Sequence, residues 1–166
     1  MKNIKEYLNE GLIKRQAGMD MRTKIEAWLK EYNIRNYTIN DDLTIDVKGH
    51  VVLEGYTEKH LPDYIQFGKV VGFFTINESP NLETLKGCPK EVGIDFYCYN
   101  CKNLESLKGS PKIVGGNFSC RKCSKLESLE NCPKEVGRDF VCSNCGKQFT
   151  EDDVKKVCKV KKRIFV

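Results

Sequence analysis

Residues 66–153 repeat with a period of twenty-two, and the repeat aligns with itself without a gap. The blocks are QFGKVVGFFTINESPNLETLKG (66–87), CPKEVGIDFYCYNCKNLESLKG (88–109), SPKIVGGNFSCRKCSKLESLEN (110–131) and CPKEVGRDFVCSNCGKQFTEDD (132–153). Val70, Val92, Val114 and Val136 share one column, and Phe74, Phe96, Phe118 and Phe140 another. Leu82, Leu104 and Leu126 make a third column, and Leu85, Leu107 and Leu129 a fourth. Pro89, Pro111 and Pro133 mark one corner of each block, and Gly93, Gly115 and Gly137 mark another. A single block is too short to bury its apolar residues, so the blocks must stack into a solenoid with one core layer per repeat. Within a block, Phe96-x-Cys98 alternates as a strand does, sending these two side chains inward and Tyr97 and Tyr99 outward. Leu104 and Leu107, three apart, suit a helical or irregular return turn.

The same columns bear on the cysteines. Cys98/Cys101, Cys120/Cys123 and Cys142/Cys145 are three Cys-x-x-Cys pairs at a constant interval, a spacing that signals a tetrahedral zinc site. However, Cys98, Cys120 and Cys142 fall in the column of Ile76, which cannot ligate metal, and Cys101, Cys123 and Cys145 in that of Ser79. Cysteine behaves as a small buried hydrophobe, so an Ile-to-Cys exchange in a core column is natural. Neither histidine, His50 nor His60, lies in a block. The expectation is core thiols with no metal and no cofactor. The alternative is zinc held by Cys120, Cys123, Cys142 and Cys145, because "CSNCGKQF" (142–149) has the local look of a zinc knuckle. Nine cysteines, an odd number, without an apolar export signal in "MKNIKEYLNEG" suit reduced thiols in a cytosol.

The pattern Cys101-x-x-Leu104-x-x-Leu107, followed by a proline, a valine and Phe118, resembles leucine-rich repeats, closest to the BspA-like class. The resemblance covers residues 61–149 and implies an α+β fold, a short leucine-rich-repeat solenoid in which Cys101 sits at the turn after the strand. This chain departs from the family in having few repeats, the last of which decays around Phe149.

A solenoid needs caps. Residues 11–60 read as an N-terminal helix plus a small β cap. Asp20 is the expected N-cap, with Met21, Ile25, Trp28, Leu29 and Tyr32 on the inner face and a Glu26–Lys30 pair on the outer one. "NYTINDDLTIDVKGHVVL" then alternates as two or three short strands with turns at Asp41-Asp42 and Lys48-Gly49. Residues 150–166 read as a C-terminal cap: a capping box from Thr150 to Asp153, a short helix carrying Val154, Val157 and Cys158, and a closing strand in "RIFV". Residues 1–10 belong to no column. They resemble the capsid-targeting leader of internal head proteins of large tailed phages, in which a protease cuts after a Leu/Ile-x-Glu triplet and before a small residue. Here the triplet is Leu8-Asn9-Glu10 and the next residue is Gly11. The resemblance implies a phage protein carried in the virion head and released into the bacterial host cytosol.

No catalytic constellation is legible: no nucleophile is placed beside the histidines, and Gly115-Gly116 lacks the setting of a phosphate loop. A non-enzymatic protein-binding module is therefore expected, its partner a bacterial host protein or a virion component. The outward positions of the strand face are Thr75, Tyr97, Ser119 and Val141 in one row, and Asn77, Tyr99, Arg121 and Ser143 in the next. Tyrosine and arginine are the usual anchors of such a face. The alternative is a zinc-dependent nucleic-acid binder using the basic C-terminus, Lys155, Lys156, Lys159, Lys161, Lys162 and Arg163. The net charge of +5 with mixed signs elsewhere does not favour nucleic acid, and no apolar stretch reaches membrane-spanning length.

Overall fold

The computed structural model describes residues 20–166. A first helix, α1, runs over residues 20–31, and then strands follow almost to the end of the chain. These are β1 (Tyr37–Ile39), β2 (Ile45–Val47), β3 (Val51–Val52), β4 (Phe67–Val70), β5 (Phe74–Thr75), β6 (Glu91–Val92) and β7 (Phe96–Tyr97). After them come β8 (Ile113–Val114), β9 (Phe118–Ser119), β10 (Glu135–Val136), β11 (Phe140–Val141), the helix α2 (Glu151–Val157), β12 (Lys159–Val160) and β13 (Ile164–Phe165). They form two sheets, of seven strands in the order β1-β2-β4-β6-β8-β10-β12 and of six in the order β13-β11-β9-β7-β5-β3. All pairs are parallel except β1 with β2, so the chain winds as a parallel β-solenoid.

The twenty-two-residue period is the period of this winding. Phe74, Phe96, Phe118 and Phe140 are register partners in the six-stranded sheet, and Val70, Val92, Val114 and Val136 in the seven-stranded one. All eight are buried. The phenyl rings stack down the axis at centroid separations of 5.4, 5.6 and 5.0 Å, the first two pairs nearly coplanar at 3° and 10°. Phe67 turns edge-on to Phe74 at 5.6 Å and hands the stack to Trp28 of α1 at 6.3 Å. The leucine columns are also buried, on the return side between the sheets.

Each turn holds two strands rather than the one that the Phe-x-Cys alternation indicates. The additional strand, Glu91–Val92 in the second block, buries only Val92 before the chain reaches Gly93, so it shows no alternation like that from Phe96 to Cys98. Three corners make this winding tight. Glu78, Asn100, Lys122 and Asn144 take left-handed φ values of 53°, 55°, 60° and 57° after the six-stranded sheet. Gly87, Gly109 and Asn131 do so at 87°, 92° and 64° ahead of the other sheet, where glycine adopts the conformation without steric cost. Gly93, Gly115 and Gly137 make the third corner for a different reason: a Cβ on Gly115 would strike the Gly93 carbonyl of the preceding turn.

At the front, Ile25, Trp28 and Leu29 cover the first layers, with Met21 and Tyr32 packed beside them. Asp20 is itself helical and bonded to Lys24 at 3.2 Å, so it lies inside α1 and does not serve as the expected N-cap. Glu26 and Lys30 form no ion pair among the described residues; the i,i+4 pair on this helix is Asp20–Lys24. Arg22 clamps α1 to the β1–β2 turn, donating to the carbonyls of Ile39 and Asn40 at 2.9 Å each. At the back, both bonds of the capping box form: the Asp153 amide donates to Thr150 Oγ1 at 3.2 Å and the Thr150 amide to Asp153 Oδ2 at 3.0 Å. Val154 is buried beneath α2, and β13 closes the six-stranded sheet against β11.

Candidate partner-binding face

The outer face of the six-stranded sheet gathers all eight expected positions. Thr75, Tyr97, Ser119 and Val141 are register partners in one row. Asn77, Tyr99, Arg121 and Ser143 lie two residues beyond them, just past the strand ends, and the Tyr99 amide donates to Asn77 Oδ1 of the preceding turn at 3.0 Å. Burial separates the eight. Thr75 and Asn77 are only 5% exposed and Ser119 6%. Tyr97, Tyr99, Val141 and Ser143 are half-buried, and Arg121 is exposed. The Arg121 guanidinium lies 5.5 Å from the Tyr99 ring centroid, and the Tyr99 hydroxyl donates to Glu78 at 3.4 Å. The Glu78 carboxylate raises the Tyr99 hydroxyl above its ordinary pKa, while burial does the same for Tyr97, whose hydroxyl donates to Asp95 at 3.0 Å. Both phenols therefore stay protonated donors at neutral pH.

Other residues of this face escape the gapless alignment. Val52 and Phe165, 48% and 42% exposed, extend the Thr75–Val141 row at its two ends. They pair at offsets of twenty-three and twenty-four residues instead of twenty-two. A third row holds the turns together. Asp95 accepts from the Asn117 amide at 2.6 Å, Asn117 from the Asp139 amide at 3.2 Å, and Asp139 from the Arg163 amide at 3.1 Å. His50 serves in the same way two turns earlier, accepting from the Phe73 amide through Nδ1 at 3.1 Å with its ring stacked on Phe73.

The cysteines lie inside. Cys98, Cys101, Cys120, Cys123 and Cys142 are buried, while Cys145 is partly exposed. The Cys101, Cys123 and Cys145 thiols donate to the carbonyls of Ile76, Cys98 and Cys120 of the preceding turn, each at 3.2 Å. Ser79 does the equivalent work in its own layer, bonding the Ile76 carbonyl at 3.0 Å. The column thus needs a short side chain with a donor, which serine and cysteine both have. Burial raises Cys98 well above the ordinary thiol value and pushes Cys142 up to about 12. Zinc takes thiolates, and among the described residues no three or more His, Cys, Asp or Glu side chains converge on a common point. The alternative zinc quartet of Cys120, Cys123, Cys142 and Cys145 is not among such groups, although the Cys120 and Cys145 thiols of neighbouring turns are within hydrogen-bonding reach of each other. The basic C-terminus is partly neutralised: Lys155 pairs with Glu151 and Lys161 with Glu135 at 2.8 Å, and Arg163 with Asp139 at 2.9 Å.

The chain matches no family model. Neither the curated proteins nor the solved structures compared with it give a match. No helix among the described residues is long and apolar enough to cross a membrane. Leu8, Glu10 and Gly11, the expected cleavage site, lie outside the described residues.

Proposed function

We propose that this protein is a non-enzymatic binding module that holds a protein partner on the outer face of its six-stranded sheet. The observation that carries the reading is the cluster of Tyr97, Tyr99 and Arg121, two phenols and a guanidinium on adjacent turns of a backbone-paired ladder. Rigid aromatic and arginine side chains contribute most where little entropy is lost on binding, and a solenoid presents them already ordered. The BspA-like leucine-rich-repeat reading rests on the Cys101, Leu104 and Leu107 pattern; two strands per turn depart from the single strand expected. In the same reading the protein is phage-encoded, cleaved between Glu10 and Gly11, carried in the virion head and directed at a host protein. The Leu8-Asn9-Glu10 triplet supports that part.

The test is capture from a bacterial lysate by immobilised protein. A partner retained by the native chain is expected to be lost with Tyr99→Ala/Arg121→Ala and kept with Lys69→Ala, on the other sheet. Equal retention by all three would place the interaction elsewhere.

A further inference from the structure

A second surface of different chemistry lies at the corner leading into the seven-stranded sheet. Lys90, Lys112 and Lys134 recur once per turn, stacked directly on one another. The Lys112 amide donates to the Lys90 carbonyl at 2.8 Å and the Lys134 amide to the Lys112 carbonyl at 2.9 Å. All three side chains are exposed, and none has an ion-pair partner among the described residues, whereas Lys69, Lys86, Lys125 and Lys161 are each paired. The three border a groove of about 650 Å³ that also includes Ser110, the buried Pro111 and Glu130, the one carboxylate along it. The Ser110 hydroxyl is shut off from solvent and has no hydrogen-bond partner, a condition that costs free energy.

We propose that this groove is an anion site for a compact oligophosphate, with Lys90, Lys112 and Lys134 as its point-charge contacts. The volume lies within the range of small-ligand sites. The spacing selects among anions. Lysines on successive parallel strands stand about 4.8 Å apart, whereas same-face carboxylates of an extended acidic peptide recur at roughly 6.8 Å. Three rungs are thus met best by a ligand with several charges in one small group. Lysine binds phosphate as a point charge without demanding a planar fork. The site is independent of the tyrosine face and stands or falls without it.

Calorimetric titration of the full chain with sodium tripolyphosphate tests it. Saturable one-to-one binding is expected, weakening as salt rises. Lys112→Ala should reduce affinity about tenfold and Lys112→Glu abolish it, with thermal unfolding unchanged because the side chain has no partner to lose. A triple Lys156→Ala/Lys159→Ala/Lys162→Ala variant should bind as the native chain does. The proposal is overturned by absence of saturable binding, by loss in the triple variant with none in Lys112→Glu, or by an oligoglutamate peptide of equal charge binding more tightly. That last outcome would assign the lysines to an acidic protein segment.

Discussion

Phe118 sits between Phe96 and Phe140 with no exposed surface, contacting an aromatic ring on each side. Its truncation removes both contacts at once and leaves a cavity in a layer whose backbone is fixed by the turns above and below. Phe118→Ala should cost about 3–5 kcal/mol, read as a fall in the urea midpoint; a loss under about 1 kcal/mol would contradict the stacking. The thiols make a second prediction, in pH. Cys88, Cys98 and Cys142 are held above the ordinary thiol value mainly by burial. A native-state value above the unfolded one means that the native chain keeps protons which the unfolded chain releases. The stability they contribute is complete below about pH 8.5. It is lost as pH rises toward the value near 12 set for Cys142. Urea midpoints under reducing conditions should therefore fall steadily from pH 9 to 11, and less steeply in Cys98→Val. A flat profile over that range, or an identical one in the variant, would show the thiols to be in contact with water.

At the scale of the element, the corners differ in how well their residues suit them. Asn100 and Asn144 tolerate the left-handed conformation, but Lys122 adopts it at φ 60° without that ease. Lys122→Asn should raise stability by about 0.5–1 kcal/mol, measured by chemical denaturation, with the fold unchanged. Such corners also show what could be read from sequence and what could not. The phenylalanine, valine and leucine columns are legible because side chains that meet in space recur at one fixed interval. The cysteine columns are legible as core positions because Ile76 shares one of them, whereas the need for a donor at Cys101, Cys123 and Cys145 shows only where their thiols meet carbonyls of the preceding turn. The strands β6, β8 and β10 are not legible, since each offers one buried valine ahead of a glycine, whereas β7, β9 and β11 run on from a buried phenylalanine to a buried cysteine two residues later. The extension of both sheets to β3 and β13 is hidden for another reason. Val51 pairs with Phe74 and Phe140 with Ile164, so loops longer by one or two residues break the period while the ladder continues. Burial of Thr75, Asn77 and Ser119 is not legible either, since alternation along a strand gives the face a side chain takes and not how far its neighbours cover it.

For the molecule as a whole, residues 1–10 enter no repeat column, and a short terminal segment is marginal as a helix on its own. A protein beginning at Gly11 should unfold at the same midpoint as the full chain. On the packaging reading proposed above, the mature form in virions should start at Gly11, and Glu10→Ala should retain Met1; mass spectrometry of particles reads both, and an intact Met1 in native particles would overturn that proposal. The identical register from Phe74 to Phe140 has a further consequence, for how such a chain changes length. Because every rung between β5 and β11 meets its neighbours through the same contacts, a whole block is a unit of growth. Duplicating residues 110–131 in the gene would insert one complete rung, lengthen the rod by about 4.8 Å and leave every existing junction intact. An insertion of any other size would have to be absorbed in a loop, as the unequal spacings at the two ends already show. The lysine ladder and the tyrosine face would each lengthen by one position in step, so their reach is counted in whole rungs and set by recombination rather than by substitution.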